Sequence, residues 1–246
     1  MKKVFLKLVI IIGIFAVNVP HTFSQNIAEK GNGNVVALER TIGSFGKIKC
    51  KGSIEMRFHV SEKYRAVVVV DSNLEKYIAV STEDNVLNIS NKNNGMYAGN
   101  AFTKCSIDIY CPNLTDISIS GSGSFNSVDR IASSSFTAEI SGSGSIGGTF
   151  DCENFAAKIS GSGSISATGS AKDVVVSISG SGNFRGIDFD TRDATVTIGG
   201  SGKATIGVSD NLNATLFGKG SGGQIAYRGN PKILSNIKGN GRIIKI

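Results

Sequence analysis

Ile140-Ser141-Gly142-Ser143-Gly144-Ser145-Ile146 is the stretch that decides how this chain folds. Isoleucines and glycines alternate with serines. If Ile140 points inward, Gly142, Gly144 and Ile146 do too, and the three serines point out, which is the period of a strand with one buried face. Glycine at an inward position packs no side chain and weakens a strand. Two reasons for it are open: the wall bends sharply there, or it closely approaches the opposite wall of a narrow tube. The core of the motif, an aliphatic residue two before Gly-x-Gly, recurs at Ile119, Ile140, Ile159, Ile178, Ile198, Leu216 and Ile237, with gaps of 21, 19, 19, 20, 18 and 21 residues. Self-similarity near twenty residues signals a stacked repeat.

A second strand-like run precedes each motif. Phe136, Phe155, Val174, Ala194 and Leu212 align, as do Ala138, Ala157, Val176, Val196 and Ala214. Stacked laps place these residues in continuous interior columns, and one lap cannot bury its apolar side alone. Turn-forming clusters, Gly147-Gly148, Asp151, Thr168-Gly169-Ser170 and Asp188 to Asp193, separate the runs. Seven laps at about 4.8 Å each give a rod of about 34 Å. The fold class is all-β, a right-handed parallel β-solenoid with laps of about twenty residues, the hand following the rule for parallel crossovers.

Working outward, Met1-Lys2-Lys3 and the apolar run Val4 to Val19 read as a secretory signal peptide, residues 1–24, cleaved after Ser24. The run is short for a membrane span, and no later segment is long and apolar enough to be one. Residues 25–34 read as a flexible arm. Residues 35–246 read as one solenoid domain, irregular over 35–112 and regular over 113–246. The irregular part shows strands at Val35–Glu39, Phe45–Cys50, Ile54–His59, Ala66–Asp71, Ile78–Ser81, Val86–Ser90 and Phe102–Tyr110, without the Gly-x-Gly signature. Ala66 to Val70 reads as a strand covered on both faces. Asp71 to Ile78 has room for one helical turn capped by Ser72 or Asn73.

Net charge is +7, and removing Lys2, Lys3 and Lys7 with the leader leaves +4. The positive residues are scattered and do not alternate with aromatics, so no nucleic-acid footprint is present. Cys50, Cys105, Cys111 and Cys152 could form disulfides after export, but they are read as small buried residues. Cys105 and Cys111 lie about 20 Å apart along one strand and cannot bond each other. No Cys-x-x-Cys metal spacing exists.

The order of these pieces resembles the DUF2807 family, the "putative auto-transporter adhesin, head GIN domain". The resemblance rests on Arg40 with Phe45 and Ile48, Asp71-Ser-Asn-Leu74 with Ile78, Tyr110-Cys-Pro-Asn-Leu114 and the Ile-Ser-Gly-Ser-Gly copies from Ile119. It covers roughly residues 35 to 230. It implies an exported β-helical domain and supplies no catalytic residue.

Candidate sites are few. Gly142 to Gly147 matches G-x-G-x-x-G, but Thr149-Phe-Asp-Cys follows where a dinucleotide site needs a helix. Gly200-Ser-Gly-Lys-Ala204 lacks the hydroxyl a P-loop places on Mg²⁺. The residues after the second glycine, read as Ser124, Ser145, Ser164, Asn183, Lys203, Ser221 and Arg242, include no carboxylate for calcium. Asp129, Asp151, Asp173, Asp193 and Asp210 read as turn caps. Glu139 and Lys158 share a column and read as a surface ion pair. His59, the only histidine after the leader, has no visible catalytic partner. No catalytic, cofactor or metal residue is assigned. The distinctive surface is a hydroxyl strip, Ser122, Ser143, Ser162, Ser181 and Ser201, beside Ser120, Ser141, Ser160 and Ser179.

The expected role is a non-catalytic structural or adhesion-type solenoid, contacting protein or glycan in the periplasm, at the outer surface or outside the cell. A polysaccharide-active β-helix enzyme and a self-assembling envelope scaffold are the alternatives. The second follows from Arg242-Ile-Ile-Lys-Ile246, which would leave an open strand edge at the last lap.

Overall fold

The computed structural model describes residues 29–91, 102–218 and 222–246. The expected leader, the first part of the arm and Ser221 lie outside them. In chain order the strands are β1 (Val35–Arg40), β2 (Lys47–Gly52), β3 (Glu55–Val60), β4 (Arg65–Asp71), β5 (Ile78–Glu83), β6 (Val86–Asn91), β7 (Cys105–Cys111), β8 (Asp116–Gly121) and β9 (Ser124–Ser127). The long strands β10 (Ile131–Gly142), β11 (Ser145–Gly161), β12 (Ser164–Gly180), β13 (Asn183–Gly200) and β14 (Lys203–Gly218) follow. The chain closes with β15 (Gln224–Arg228), β16 (Lys232–Gly239) and β17 (Arg242–Lys245).

The glycine-bearing segments lie on top of one another, parallel and in register. Ile119 pairs with Ile140, Ile140 with Ile159, Ile159 with Ile178, Ile178 with Ile198, Ile198 with Leu216 and Leu216 with Ile237. The result is a β-solenoid of about six turns. The expected columns form: Phe136, Phe155, Val174, Ala194 and Leu212 are buried, and so are Ala138, Ala157, Val176, Val196 and Ala214. Phe136 stacks on Phe155 with ring centroids 6.0 Å apart, and Phe155 meets Phe189 edge-on at 5.0 Å. Each fully buried large apolar side chain contributes about 1.5–3 kcal/mol, which is why like must stack on like.

The expected turn clusters are not loops. β11 runs without a break through Gly147-Gly148 and Asp151, and β12 through Thr168-Gly169-Ser170. The long strands bend there instead, with Gly169 at φ +101°. Variation in lap length is absorbed at the same corner. Register slips fall between Ser166 and Gly169, opposite Arg185 and Phe189, and again between Gly186 and Asp190 on the next lap.

The first part of the chain continues the same ladder, out of sequence order. β2 and β3 pair in parallel with β8 and β9 on one side and with β6 and β7 on the other. The lap at 47–60 is therefore sandwiched between the lap at 86–111 and the lap at 116–127. Cys50 occupies the isoleucine column, opposite Ile119 and Ile89. Gly52 takes the corner at φ +114°, and its carbonyl accepts from the Ser122 amide. It is a lap with Cys for Ile and Ile54 for the second glycine.

Antiparallel strands close this end. β4 lies between β1 and β7, and β5 pairs with β6 through a turn at Asp84-Asn85, both with positive φ. β4 is buried on one face, Ala66, Val68 and Val70, and half-buried at Val67 and Val69 on the other, so only one of its faces is fully covered. The helical turn is a 3-10 turn, Glu75–Tyr77, preceded by Leu74 without a side-chain cap. Asn73 is drawn off by Lys30 O at 2.8 Å. The described end of the arm, Glu29–Asn34, is tied down: Gly33 donates to Asp71 Oδ1 at 3.0 Å and Asn32 N to Asn73 Oδ1 at 3.1 Å.

Candidate functional site

The first of the two open reasons for the glycines is what the structure shows: the wall turns a corner at each pair. Gly121, Gly142, Gly161, Gly180 and Gly200 have φ between +117° and +129°. A Cβ on Gly161 would lie 2.6 Å from the Gly142 carbonyl of the lap before, so both conformation and stacking exclude a side chain. The second glycine serves differently. A Cβ on Gly163 or Gly182 would lie 2.6 or 2.4 Å from Cγ2 of Ile140 or Ile159 on the preceding lap. The first glycine bends the chain; the second leaves room for an isoleucine.

The serines stand on the outside of this corner. Ser143 donates its amide to Gly121 O at 3.0 Å, Ser162 to Gly142 O at 2.9 Å, Ser181 to Gly161 O at 2.9 Å and Ser201 to Gly180 O at 3.0 Å. The inter-lap ladder thus runs through the bend, and the side chains of Ser122, Ser143, Ser162, Ser181 and Ser201 are exposed. Beside them Ser120, Ser141, Ser160 and Ser179 pair in register, also exposed. The two columns make a neutral surface of hydroxyls repeating about every 4.8 Å. Each hydroxyl is both donor and acceptor. The column of Ser120, Ser141, Ser160 and Ser179 runs on through Gly199 to Phe217, whose half-exposed ring lies over Gly199, and the next outward column carries Glu139 opposite Lys158. These two do not form the expected ion pair; cross-strand register alone does not bring the charged ends together.

Gly223, not Gly220, occupies the second-glycine place on the lap after Gly202, because its missing Cβ faces Ile198 Cγ2 at 2.7 Å. The position after it is held by Gln224, whose amide donates to Gly202 O, and not by Ser221. This corner is longer than its neighbours, which the spacing of Gly218, Gly220 and Gly222 conceals.

The aspartates read as turn caps make mostly lap-to-lap contacts. Asp129 accepts from the Val60 amide at 3.0 Å. Asp151 is held below the usual carboxylate range by Arg130, with Ser170 also donating to it. Asp193 is lowered by Asn211 and then by Arg192. No group of three metal-ligating side chains gathers among the described residues. Asp190, Arg192 and Arg228 border an open depression of about 610 Å³ at the bulged corner; Arg228 forms exposed ion pairs with Asp190 at 3.4 Å and with Asp188, outside the lining, at 3.8 Å.

A second polar cluster is invisible in the sequence. His59 has partners after all: Asp108 Oδ1 at 3.3 Å and the Tyr110 ring, stacked at 4.7 Å. Arg57 bonds Asp108 at 2.8 Å, and Arg65 lies over the other side of Tyr110 at 4.1 Å. Arg57-x-His59 and Asp108-x-Tyr110 have the right period, but only the pairing of β3 with β7 brings them together. No Ser, Thr or Cys nucleophile stands beside His59 in these contacts.

The four cysteines are free thiols. Burial pushes Cys50 and Cys111 up to about 12, and the half-buried Cys105 and Cys152 to about 11. All are protonated at neutral pH and poorly nucleophilic.

Residues 44–231 match the family model described as "Putative auto-transporter adhesin, head GIN domain". The chain belongs to the DUF2807 family. Solved structures share its fold. A "putative adhesin" from Bacteroides fragilis is 22% identical with a TM-score of 0.82, over 88% of this chain and 99% of that one. A "putative adhesin" from Parabacteroides merdae is 23% identical with a TM-score of 0.69, over 88% and 98%. A "putative lipid binding protein" from Parabacteroides distasonis is 25% identical with a TM-score of 0.71, over 88% and 98%. No curated protein matches this DUF2807 chain. Among its described residues no helix is long and apolar enough to cross a membrane.

Proposed function

We propose that this DUF2807 protein is an exported, non-catalytic adhesion-type solenoid whose hydroxyl wall contacts protein or glycan at the cell envelope. One observation carries the reading: the outward serines fall in two continuous columns along the stack, a repeating surface matched to a repeating or extended partner. Many weak hydrogen bonds, each worth about 0.5–1.5 kcal/mol net, add up only when donors and acceptors are held in a rigid row. The family description and the adhesin names of two structural neighbours agree with this role.

A glycan array, joined by capture from envelope fractions, tests it with the wild-type protein and a Ser143→Lys/Ser162→Lys/Ser181→Lys variant. These side chains are exposed, so the fold is retained. Capture by the wild type and its loss in the variant are expected; no binder, or equal capture by both, would remove the reading. The enzyme alternative would use the Asp- and Arg-lined depression, and silence in reducing-end and unsaturated-product assays would end it.

A further inference from the structure

The two ends of the solenoid differ in charge and agree in shape. At the C-terminal end β16 pairs only with β14, and β17 only with β15, so among the described residues both have an open outer edge. The apolar columns surface there. Ile233 and Ile237, which continue the buried Leu212 and Leu216 columns, are each 43% exposed, and outward-facing Leu234 is 73% exposed. Residues 222–246 contain Arg228, Lys232, Lys238, Arg242 and Lys245 and no acidic residue. Among the described residues Lys232, Lys238 and Arg242 form no ion pair.

The opposite end also presents two open edges. Among the described residues β5 pairs only with β6, on the wall that ends in β16, and β1 only with β4, on the wall that ends in β17. Val36 and Leu38 of β1 face the same way as buried Val70 and Val68, and are half-buried. Residues 29–46 and 72–86 carry Glu29, Glu39, Glu75, Glu83 and Asp84 against Lys30, Arg40 and Lys76. Arg40 pairs with Glu75 and Lys76 with Glu29, whereas Glu39, Glu83 and Asp84 have no ion-pair partner among the described residues.

We infer that the C-terminal lap docks on the N-terminal edges of a second copy, head to tail. β16 would extend onto β5 of the next molecule, antiparallel, and β17 onto β1, parallel, with Lys232 brought toward Glu83 and Asp84, Arg242 toward Glu39, and Lys238 adding positive charge farther along the same edge. An open strand edge is satisfied by another strand, and solenoid columns continue only if another layer is stacked on them. The two contacting surfaces are different, so the contact does not close on itself and copies add in line. Two C-terminal ends would instead bring like charges together. End-to-end docking leaves the side walls free and holds whether or not the serine strip binds a partner.

Sedimentation velocity over a concentration series at low salt tests this with two charge-swap proteins. One carries Lys232→Glu, Lys238→Glu and Arg242→Glu; the other carries Glu39→Lys, Glu83→Lys and Asp84→Lys. All six side chains are surface charges, and circular dichroism checks the fold. The wild type should grow beyond dimers, with added salt reversing the growth. Each variant alone should associate at least tenfold more weakly, and an equimolar mixture should regain growth beyond dimers, since both junctions are again complementary. A wild type that stays monomeric, or a mixture that stops at dimers, would overturn the proposal. So would a monomeric wild type that binds phosphatidylglycerol vesicles, which would make the basic, apolar end a lipid surface.

Discussion

Every regular lap turns twice, and the two corners do it with different materials. At the glycine corner the chain reverses at positive φ, with backbone against backbone, and there is no space for a Cβ. At the opposite corner the long strands bend through Gly147-Gly148, Thr168-Gly169 and Gly186 to Asp190, with bulges, charged side chains and an open depression. The first sets the period that is visible in the sequence. The second accommodates most changes in lap length, which explains why the gaps are near twenty and not constant. The exception, the longer corner between Gly218 and Gly223, shows that a glycine corner lengthens only by keeping its two working glycines in place.

The largest contrast should come from a single methyl group. Gly180→Ala places a Cβ 2.6 Å from the Gly161 carbonyl at φ +119° and should cost about 3 kcal/mol or more, read as a lowered urea midpoint. Gly163→Ala keeps an ordinary backbone conformation but presses on Ile140 Cγ2 at 2.6 Å. Its cost should be smaller, about 2 kcal/mol, as overpacking usually is. If both cost nothing, the glycine corner does not constrain the stack.

The N-terminal cap replaces glycine stacking with a buried carboxylate, and it should break at a different pH. Burial alone would raise Asp71, but hydrogen bonds from the Thr103 hydroxyl and amide and from the Gly33 and Lys104 amides outweigh it and hold the carboxyl below its ordinary value. A lowered folded value means the stabilisation is complete above the ordinary value near 3.8 and disappears as pH falls through the lower folded one. Amide exchange at Gly33 and Thr103 should therefore accelerate below about pH 4 before the stack opens. Asp71→Ala should cost about 2–3 kcal/mol at pH 7, from unpaired buried donors.

The smallest effects belong to the bulged corner and the thiols. Asp188→Ala, at an exposed position, should shift stability by less than about 0.5 kcal/mol. A maleimide at pH 7.5 should leave Cys50 and Cys111 unmodified long after Cys105 and Cys152 react; equal rates would mean that the early laps open as readily as the surface.

From its sequence alone this protein determined the stacked laps, the interior columns, the outward serines and the need for glycine at one corner. These follow from strand periodicity and the volume of a Cβ, which act on neighbours along the chain or one lap away. Only the tertiary structure decided that residues 47–60 lie between the laps at 86–111 and 116–127, that Cys50 stands in an isoleucine column, and that His59 meets Asp108 and Tyr110. Each depends on pairing between strands far apart in sequence, where several registers satisfy the same alternation and the choice is made by packing against the rest of the core.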